Sequence, residues 1–175
     1  NAFGSLLSTA AVLTVTGGWP TSNVALVATG AVWKYRDTGA DLGTTWLATN
    51  YNDSAWASGP AQLGYGDGDE ATVVSFGTNA NAKYITTYFR RAFVVDNPAV
   101  YARLQLALLR DDGAAVYLNG AEIVRSNLPA GTLTYTNRAL TAVDGTAETT
   151  VYTNVLGMSL LVPGTNVLAA EVHQV

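Results

Sequence analysis

The chain has no cysteine and a single histidine, and these two scarcities remove several kinds of chemistry. Without cysteine there is no disulfide and no thiolate nucleophile, and one histidine gives no histidine pair for zinc. A serine–histidine–carboxylate triad would have to use His173, yet no Gly-x-Ser-x-Gly elbow occurs. The carboxylates are few and scattered, so they indicate no glycosidase pair. We therefore expect a protein that is not an enzyme.

Charge and long apolar runs are scarce as well. Charged residues make up 13% of the chain, and 9 Lys+Arg against 13 Asp+Glu give a net charge of −4. A phosphate-binding surface needs clustered cations, and Arg90-Arg91 is the only adjacent basic pair, so we expect no nucleic-acid partner. No apolar run reaches about 18 residues, so we expect no membrane insertion. The start at Asn1, without Met or a signal peptide, predicts a piece of a longer or processed protein.

Apolar residues, glycine, threonine, valine and tyrosine are abundant instead. Apolar residues reach 49%, and 17 glycines are present. This composition is typical of an all-β globular chain with many turns, and 175 residues suffice for one β-domain or for one domain plus an arm. The weakly charged, acidic surface is compatible with an extracellular or cell-surface location.

The stretch 104–127, LQLALLRDDGAAVYLNGAEIVRSN, predicts the centre of a β-sandwich. Leucines alternate up to Leu108, as in a half-buried strand. Asp111-Asp112-Gly113 has the composition of one turn, and Asn119-Gly120 is a strong hairpin signal. We therefore predict three strands joined by two tight turns, and we interpret the two aspartates as turn formers rather than catalytic groups.

Residues 1–20 predict an N-terminal strand arm and linker, separate from a main domain at 21–175. Ala11, Leu13 and Val15 alternate along one apolar face, and Gly17-Gly18 ends the strand. The sequence NAFGSLLSTAAVLTV resembles the last strand of a bacterial immunoglobulin-like domain. The rest of such a domain, which needs about 100 residues, is absent from the chain.

Six stretches of the main domain occur in a fixed order: VWKYRDTGADLGTTW, YNDSAWASGPAQLGYGDGDEATVVSFG, KYITTYFRRAF, LLRDDGAAVYLNGAEIVRSNLPAG, AETT and PGTNVLAAEVHQ. Together they resemble the galactose-binding-like jelly-roll modules of large secreted bacterial proteins, over residues 26–174. The resemblance implies an all-β jelly-roll β-sandwich that is extracellular, non-catalytic and carbohydrate-binding-like. A fold does not by itself establish a ligand.

One departure from that family concerns the end of the chain. In the family, the strand matching VLAAEVHQ is followed by one more strand, whereas this chain stops at Val175. If that boundary is real, we expect a jelly roll that lacks its last strand and leaves an unpaired edge. The strand at 5–16, with the apolar residues Leu6, Ala11, Leu13 and Val15, could fill that edge from the same chain or from a neighbour. Donation to a neighbour would build a filament or surface stalk from copies of this chain.

The resemblance also implies a structural calcium where the first loop meets the closing strand. The matching positions are Asp37 or Asp41 with Glu171, and carboxylate oxygens are the ligands that calcium prefers. Asp69 and Glu70, with Asp67, form a second acidic cluster. The alternative for any one of these residues is a solvated loop carboxylate.

A glycan site needs an exposed aromatic ring and polar groups at a loop tip. Tyr65, Asp67, Asp69 and Tyr84 lie in or beside the long loop before the central strand, and we predict them as ligand-binding residues. Tyr65, within Gly-Tyr-Gly, is expected to be the most exposed aromatic residue. Glycans are therefore the expected ligand class, and the filament subunit is the alternative.

Overall fold

The computed structural model describes residues 6–8, 11–17, 23–66 and 68–175, with the backbone alone for 6–8. The strands in these ranges are β1 Leu6–Ser8, β2 Val12–Gly17, β3 Asn23–Val27, β4 Val32–Arg36, β5 Ala57–Pro60, β6 Leu63–Tyr65, β7 Thr72–Val73, β8 Thr86–Val95, β9 Tyr101–Leu108, β10 Gly113–Leu118, β11 Ala121–Ser126, β12 Tyr152–Leu156 and β13 Gly164–His173. Short 3-10 helices occur at Thr45–Leu47, Pro98–Val100, Gly145–Ala147 and Met158–Leu160. No helix in the described ranges has the length and apolarity needed to cross a bilayer.

Two large sheets enclose the core. One has the strand order β11-β10-β13-β8-β4-β5, the other has the order β12-β9-β2-β3, and a small third sheet has the order β1-β6-β7. The leucines of β9 alternate inward, as the sequence predicts, and they pack against apolar residues of the six-stranded sheet such as Phe89, Val116 and Leu168. The predicted all-β sandwich is confirmed.

The hairpin predicted at Asn119-Gly120 is present between β10 and β11. Asn119 has φ 53° and Gly120 has φ 87°, as a two-residue primed turn requires. The prediction that a tight turn at Asp111-Asp112-Gly113 joins two paired strands is wrong. Strand β9 pairs with β12 and β2, while β10 belongs to the other sheet. The segment between β9 and β10 therefore crosses from one sheet to the other. Asp112 is buried there, and its carboxylate accepts from the backbone N–H groups of Val143 and Val175 at 2.7 and 2.9 Å.

Strand β2 lies inside the four-stranded sheet, where it pairs antiparallel with both β9 and β3. Ala11, Leu13 and Val15 are at most 1% exposed, so this part of the chain contributes directly to the core. Leu6 lies in β1, whose backbone pairs with β6 in the small sheet, and its side chain is outside the described residues. In the single chain, the N-terminal strand therefore pairs within its own molecule.

The closing strand β13 is paired on both sides. Residues 164–173 pair with β8, and residues 168–173 pair with β10. The expectation of an open edge beside Val175 is therefore wrong for the described part of the chain, because β13 is an inner strand of its sheet. The two sheets instead end at β11, β5, β12 and β3.

The outer face of the six-stranded sheet is covered too. A second apolar cluster lies there, formed by Trp46, Trp56, Tyr88, Ala115, Tyr117, Leu128 and Ala169. Arg90 fixes the covering segment: its guanidinium pairs with Asp53 at 2.9 Å, donates to the carbonyl oxygens of Trp46 and Ala48, and lies 5.3 Å from the ring centroid of Tyr51. Residues 86–90 of β8 are consequently buried on both faces.

Candidate functional site

A cleft of about 520 Å³ lies on this outer face, between the segments 41–47 and 131–135. Its floor consists of Tyr88, Glu171 and Tyr117, which come from the adjacent strands β8, β13 and β10. Glu171 lies directly opposite Tyr88 in the register, so their side chains share one face. The full lining is Asp41, Gly43, Thr44, Trp46, Leu47, Tyr88, Tyr117, Glu122, Arg125, Gly131, Thr132, Leu133, Thr134, Tyr135 and Glu171.

Glu171 is an oriented acceptor at the bottom of the cleft. It is 7% exposed, and Oε1 accepts from the Tyr117 hydroxyl at 2.5 Å. Burial, and then the hydrogen bond and charge of Glu171, raise the pKa of Tyr117 above its usual value. Burial, and then the charge of Glu171, raise the pKa of Tyr88 as well. Both phenols therefore stay neutral at physiological pH and keep their hydroxyl protons.

His173 lies beside Glu171, on the same face of β13. Its Nε2 is 3.2 Å from Oε2 of Glu171, and its Nδ1 is 2.7 Å from the carbonyl oxygen of Asn137. Because a carbonyl oxygen only accepts, Nδ1 carries a proton in this arrangement. The Thr86 hydroxyl, also near Nδ1, donates to the carbonyl oxygen of Tyr135 at 2.7 Å. The buried histidine thus ties the sheet to the segment that forms one cleft wall.

Aromatic rings form parts of both walls. Trp46 is 1% exposed, its Nε1 donates to the Gly43 carbonyl oxygen at 3.1 Å, and its ring centroid is 4.9 Å from that of Tyr88. Tyr135 and Leu133 are half-buried on the opposite wall. The cleft therefore combines apolar surfaces with fixed hydroxyl and carboxylate groups.

A paired guanidinium lies at the rim. Arg125 donates through Nε and Nη2 to the two carboxylate oxygens of Glu122, at 2.8 and 2.6 Å. Its Nη1 donates to the carbonyl oxygens of Pro129 and Gly131 at 2.6 and 2.8 Å. Hydrogen bonding to Glu122 raises the pKa of Arg125. This network attaches the segment 129–131 to β11.

Tyr65, Asp69 and Tyr84, which we predicted to bind a ligand, lie outside this cleft. The expectation that Tyr65 is an exposed aromatic platform is wrong. Its side chain is 5% exposed, because β6 places the ring in the core against Phe76. Its hydroxyl donates to Oε1 of Gln174 at 3.2 Å. Tyr84 is half-buried and packs beside Gly39, and Asp69 is exposed. Asp67 lies outside the described residues, so this predicted site is untested there.

The residues predicted to bind calcium are only partly brought together. Asp41 and Glu171 line the same cleft, whereas Asp37 does not and accepts from the backbone N–H of Ser75 at 2.6 Å. Asp41 accepts from the backbone N–H of Gly43 at 2.8 Å. Among the residues with described positions, no group of three or more acidic or histidine side chains could hold a metal ion. Calcium binding stays a prediction.

Comparisons with known proteins give no functional assignment. No protein-family model matches the chain, and no curated protein matches it. The chain is similar to a β-glucuronidase of an uncultured Clostridium sp. (17% identity, TM-score 0.49, covering 94% of this chain and 22% of that one). It is also similar to the β-glucuronidase of Bifidobacterium dentium complexed with coumarin-3-O-glucuronide (17% identity, TM-score 0.48, covering 93% and 20%). This chain spans about a fifth of the length of either enzyme, so its function has to be argued from the cleft.

Proposed function

We propose that this protein is a non-catalytic extracellular module that binds glycans in the cleft above Tyr88, Glu171 and Tyr117. The supporting observation is the combination of aromatic walls with a carboxylate and hydroxyls held in fixed positions. A sugar ring offers apolar C–H faces and directional hydroxyls, and this lining complements both. A volume of about 520 Å³ lies within the usual range for small-molecule sites.

The hydrogen bonds of the floor hold its polar groups in fixed orientations, which supports a binding role. Oε1 of Glu171 accepts from Tyr117, and Nδ1 of His173 is committed to the Asn137 carbonyl oxygen. Glu171, held in this way, can receive a ligand hydroxyl without rearranging, which lowers the entropic cost of binding.

The test is a glycan array followed by calorimetric titration of the glycans that bind, with calcium and with a chelator. Tyr135→Ala removes a half-buried wall residue, and Tyr84→Ala removes a half-buried tyrosine outside the cleft as a matched control. We expect Tyr135→Ala to weaken binding by about tenfold or more, and Tyr84→Ala to leave it unchanged. Failure to bind any glycan, or equal binding by wild type and folded Tyr135→Ala, would contradict the proposal.

A filament subunit is the second candidate, in which β2 would leave its place between β9 and β3 of its own chain and take the same place in a neighbour. The strand lies between β9 and β3, and its buried Leu13 and Val15 would each contribute about 1.5–3 kcal/mol to a joint with another molecule. If the same pairing formed between neighbours, the contact would be head-to-tail and would propagate.

Light scattering on the intact chain and on a chain lacking residues 1–16 tests this second candidate. Strand donation predicts assembly of the intact chain and monomers after the deletion. Because β2 also completes the core, the deleted chain should be examined with a synthetic peptide of residues 5–16 added. A monomeric intact protein at high concentration would exclude this function.

A further inference from the structure

We infer that the cleft accepts sugar units without negative charge and rejects uronates and sulfated sugars. This inference rests on the proposed function and adds the ligand's charge class to it. The observation that carries it is the charge of the lining: three carboxylates, from Asp41, Glu122 and Glu171, against the single guanidinium of Arg125, a formal charge of −2.

The guanidinium has no free pair of N–H groups to offer an anionic ligand. Proteins recognise sugar carboxylates and sulfates best with a bidentate arginine fork. Here both sides of that fork are used, since Nε and Nη2 donate to Glu122 and Nη1 donates to the Pro129 and Gly131 carbonyl oxygens. A uronate would have to displace Glu122 from Arg125 before gaining a bidentate contact with the guanidinium.

The carboxylate on the floor also opposes a second negative charge. Glu171 is buried between two tyrosines whose hydroxyl pKa values are raised by burial and by its own charge. Charges interact more strongly at such a desolvated position than in bulk water, so a ligand carboxylate nearby is disfavoured. The same carboxylate can accept a hydrogen bond from a neutral sugar hydroxyl, and that bond is strengthened by its charge.

The Glu122–Arg125 pair therefore sets the selectivity. Glu122→Gln keeps the side-chain length but removes the charge that binds the guanidinium. The lining changes to a formal charge of −1, since Asp41 and Glu171 remain against Arg125, and the fork can then turn toward a ligand. Asp144→Asn is the matched control, because Asp144 is exposed, lies outside the cleft, and gives the same change in net charge.

The experiment compares a neutral oligosaccharide that binds on the array with its counterpart oxidised from alcohol to carboxylate at C6. For the wild type we expect the oxidised form to bind at least about tenfold more weakly, with a gap that narrows at high salt. Glu122→Gln should shrink the gap, and Asp144→Asn should leave it unchanged. Equal or tighter wild-type binding of the oxidised form, or a gap unaffected by Glu122→Gln, would overturn the inference alone. Binding of no glycan at all would overturn the proposed function and this inference with it.

Discussion

Replacing Arg90 with methionine should destabilise the protein by about 3–5 kcal/mol, because the change removes a buried guanidinium and leaves its three hydrogen-bond acceptors without that donor. Arg90 is 2% exposed, and its guanidinium contacts Asp53 and the carbonyl oxygens of Trp46 and Ala48. Methionine fills a similar volume, so the loss comes mainly from polar groups left without a donor. The covering segment that carries Trp46 should loosen, and the cleft wall with it.

The matched control is Asp53→Asn, which removes the charge from the other side of the pair. Asparagine still offers an oxygen to Arg90, and the carbonyl oxygens of Trp46 and Ala48 still accept from the guanidinium. We expect a smaller loss, of about 1 kcal/mol. The double variant should lose less than the sum of the two single losses, since both changes disrupt the same interaction.

Urea unfolding followed by tryptophan fluorescence and circular dichroism measures these losses at equilibrium. Arg90 would not be the main contact that holds the covering segment if folded Arg90→Met lost less than about 1.5 kcal/mol of stability, or no more than Asp53→Asn. The segment would then be held mainly by its apolar contacts.

Three further changes test other parts of the structure. Gly39→Ala places a Cβ 2.4 Å from the Tyr84 ring, whereas Gly43→Ala, also at positive φ, meets nothing within 4 Å. In urea unfolding, Gly39→Ala should therefore lower the free energy of unfolding by about 1–3 kcal/mol more than Gly43→Ala. Equal losses would contradict the packing of Tyr84 against Gly39. Leu13→Ala should cost about 2–5 kcal/mol in the same assay if β2 is a core strand, and a loss below 1 kcal/mol would contradict that position. Burial raises the pKa of Tyr117 in the folded state, so the tyrosine of the unfolded chain ionises first and stability is lost as the pH rises above about 10. Between pH 9 and pH 11, Tyr117→Phe should therefore lose less stability than the wild type. An unchanged loss would contradict the assignment of this pH dependence to Tyr117.

Local signals predicted local structure well. Asn119-Gly120 encodes its hairpin because both residues tolerate positive φ, and the alternation in β9 and β2 encodes their buried faces. The prediction of a tight turn at Asp111-Asp112-Gly113 was wrong because the two strands that this segment joins belong to different sheets. Turn-forming composition indicates where a chain bends, but it does not say which sheet the next strand joins.

The cleft could not be predicted in the same way. Its floor comes from three strands that are far apart in sequence, and its walls come from two loops that fold back over the outer face. Tyr88 and Arg90 lie two residues apart in β8 and so share a face, but an isolated strand pattern gives no sign that loops cover that face. Tyr65 illustrates the converse error, since flanking glycines suggest an exposed loop while β6 places the ring in the core.

The central claim, that the cleft is a glycan site, is tested most directly by nuclear magnetic resonance. The isotope-labelled protein would be titrated with a neutral oligosaccharide that binds on the array, and amide shifts would be mapped onto the sequence. We expect the largest shifts in the segments 41–47 and 131–135 and on the three floor strands around Tyr88, Tyr117 and Glu171. Shifts concentrated in the loop that follows Tyr65, with the cleft unchanged, would contradict it.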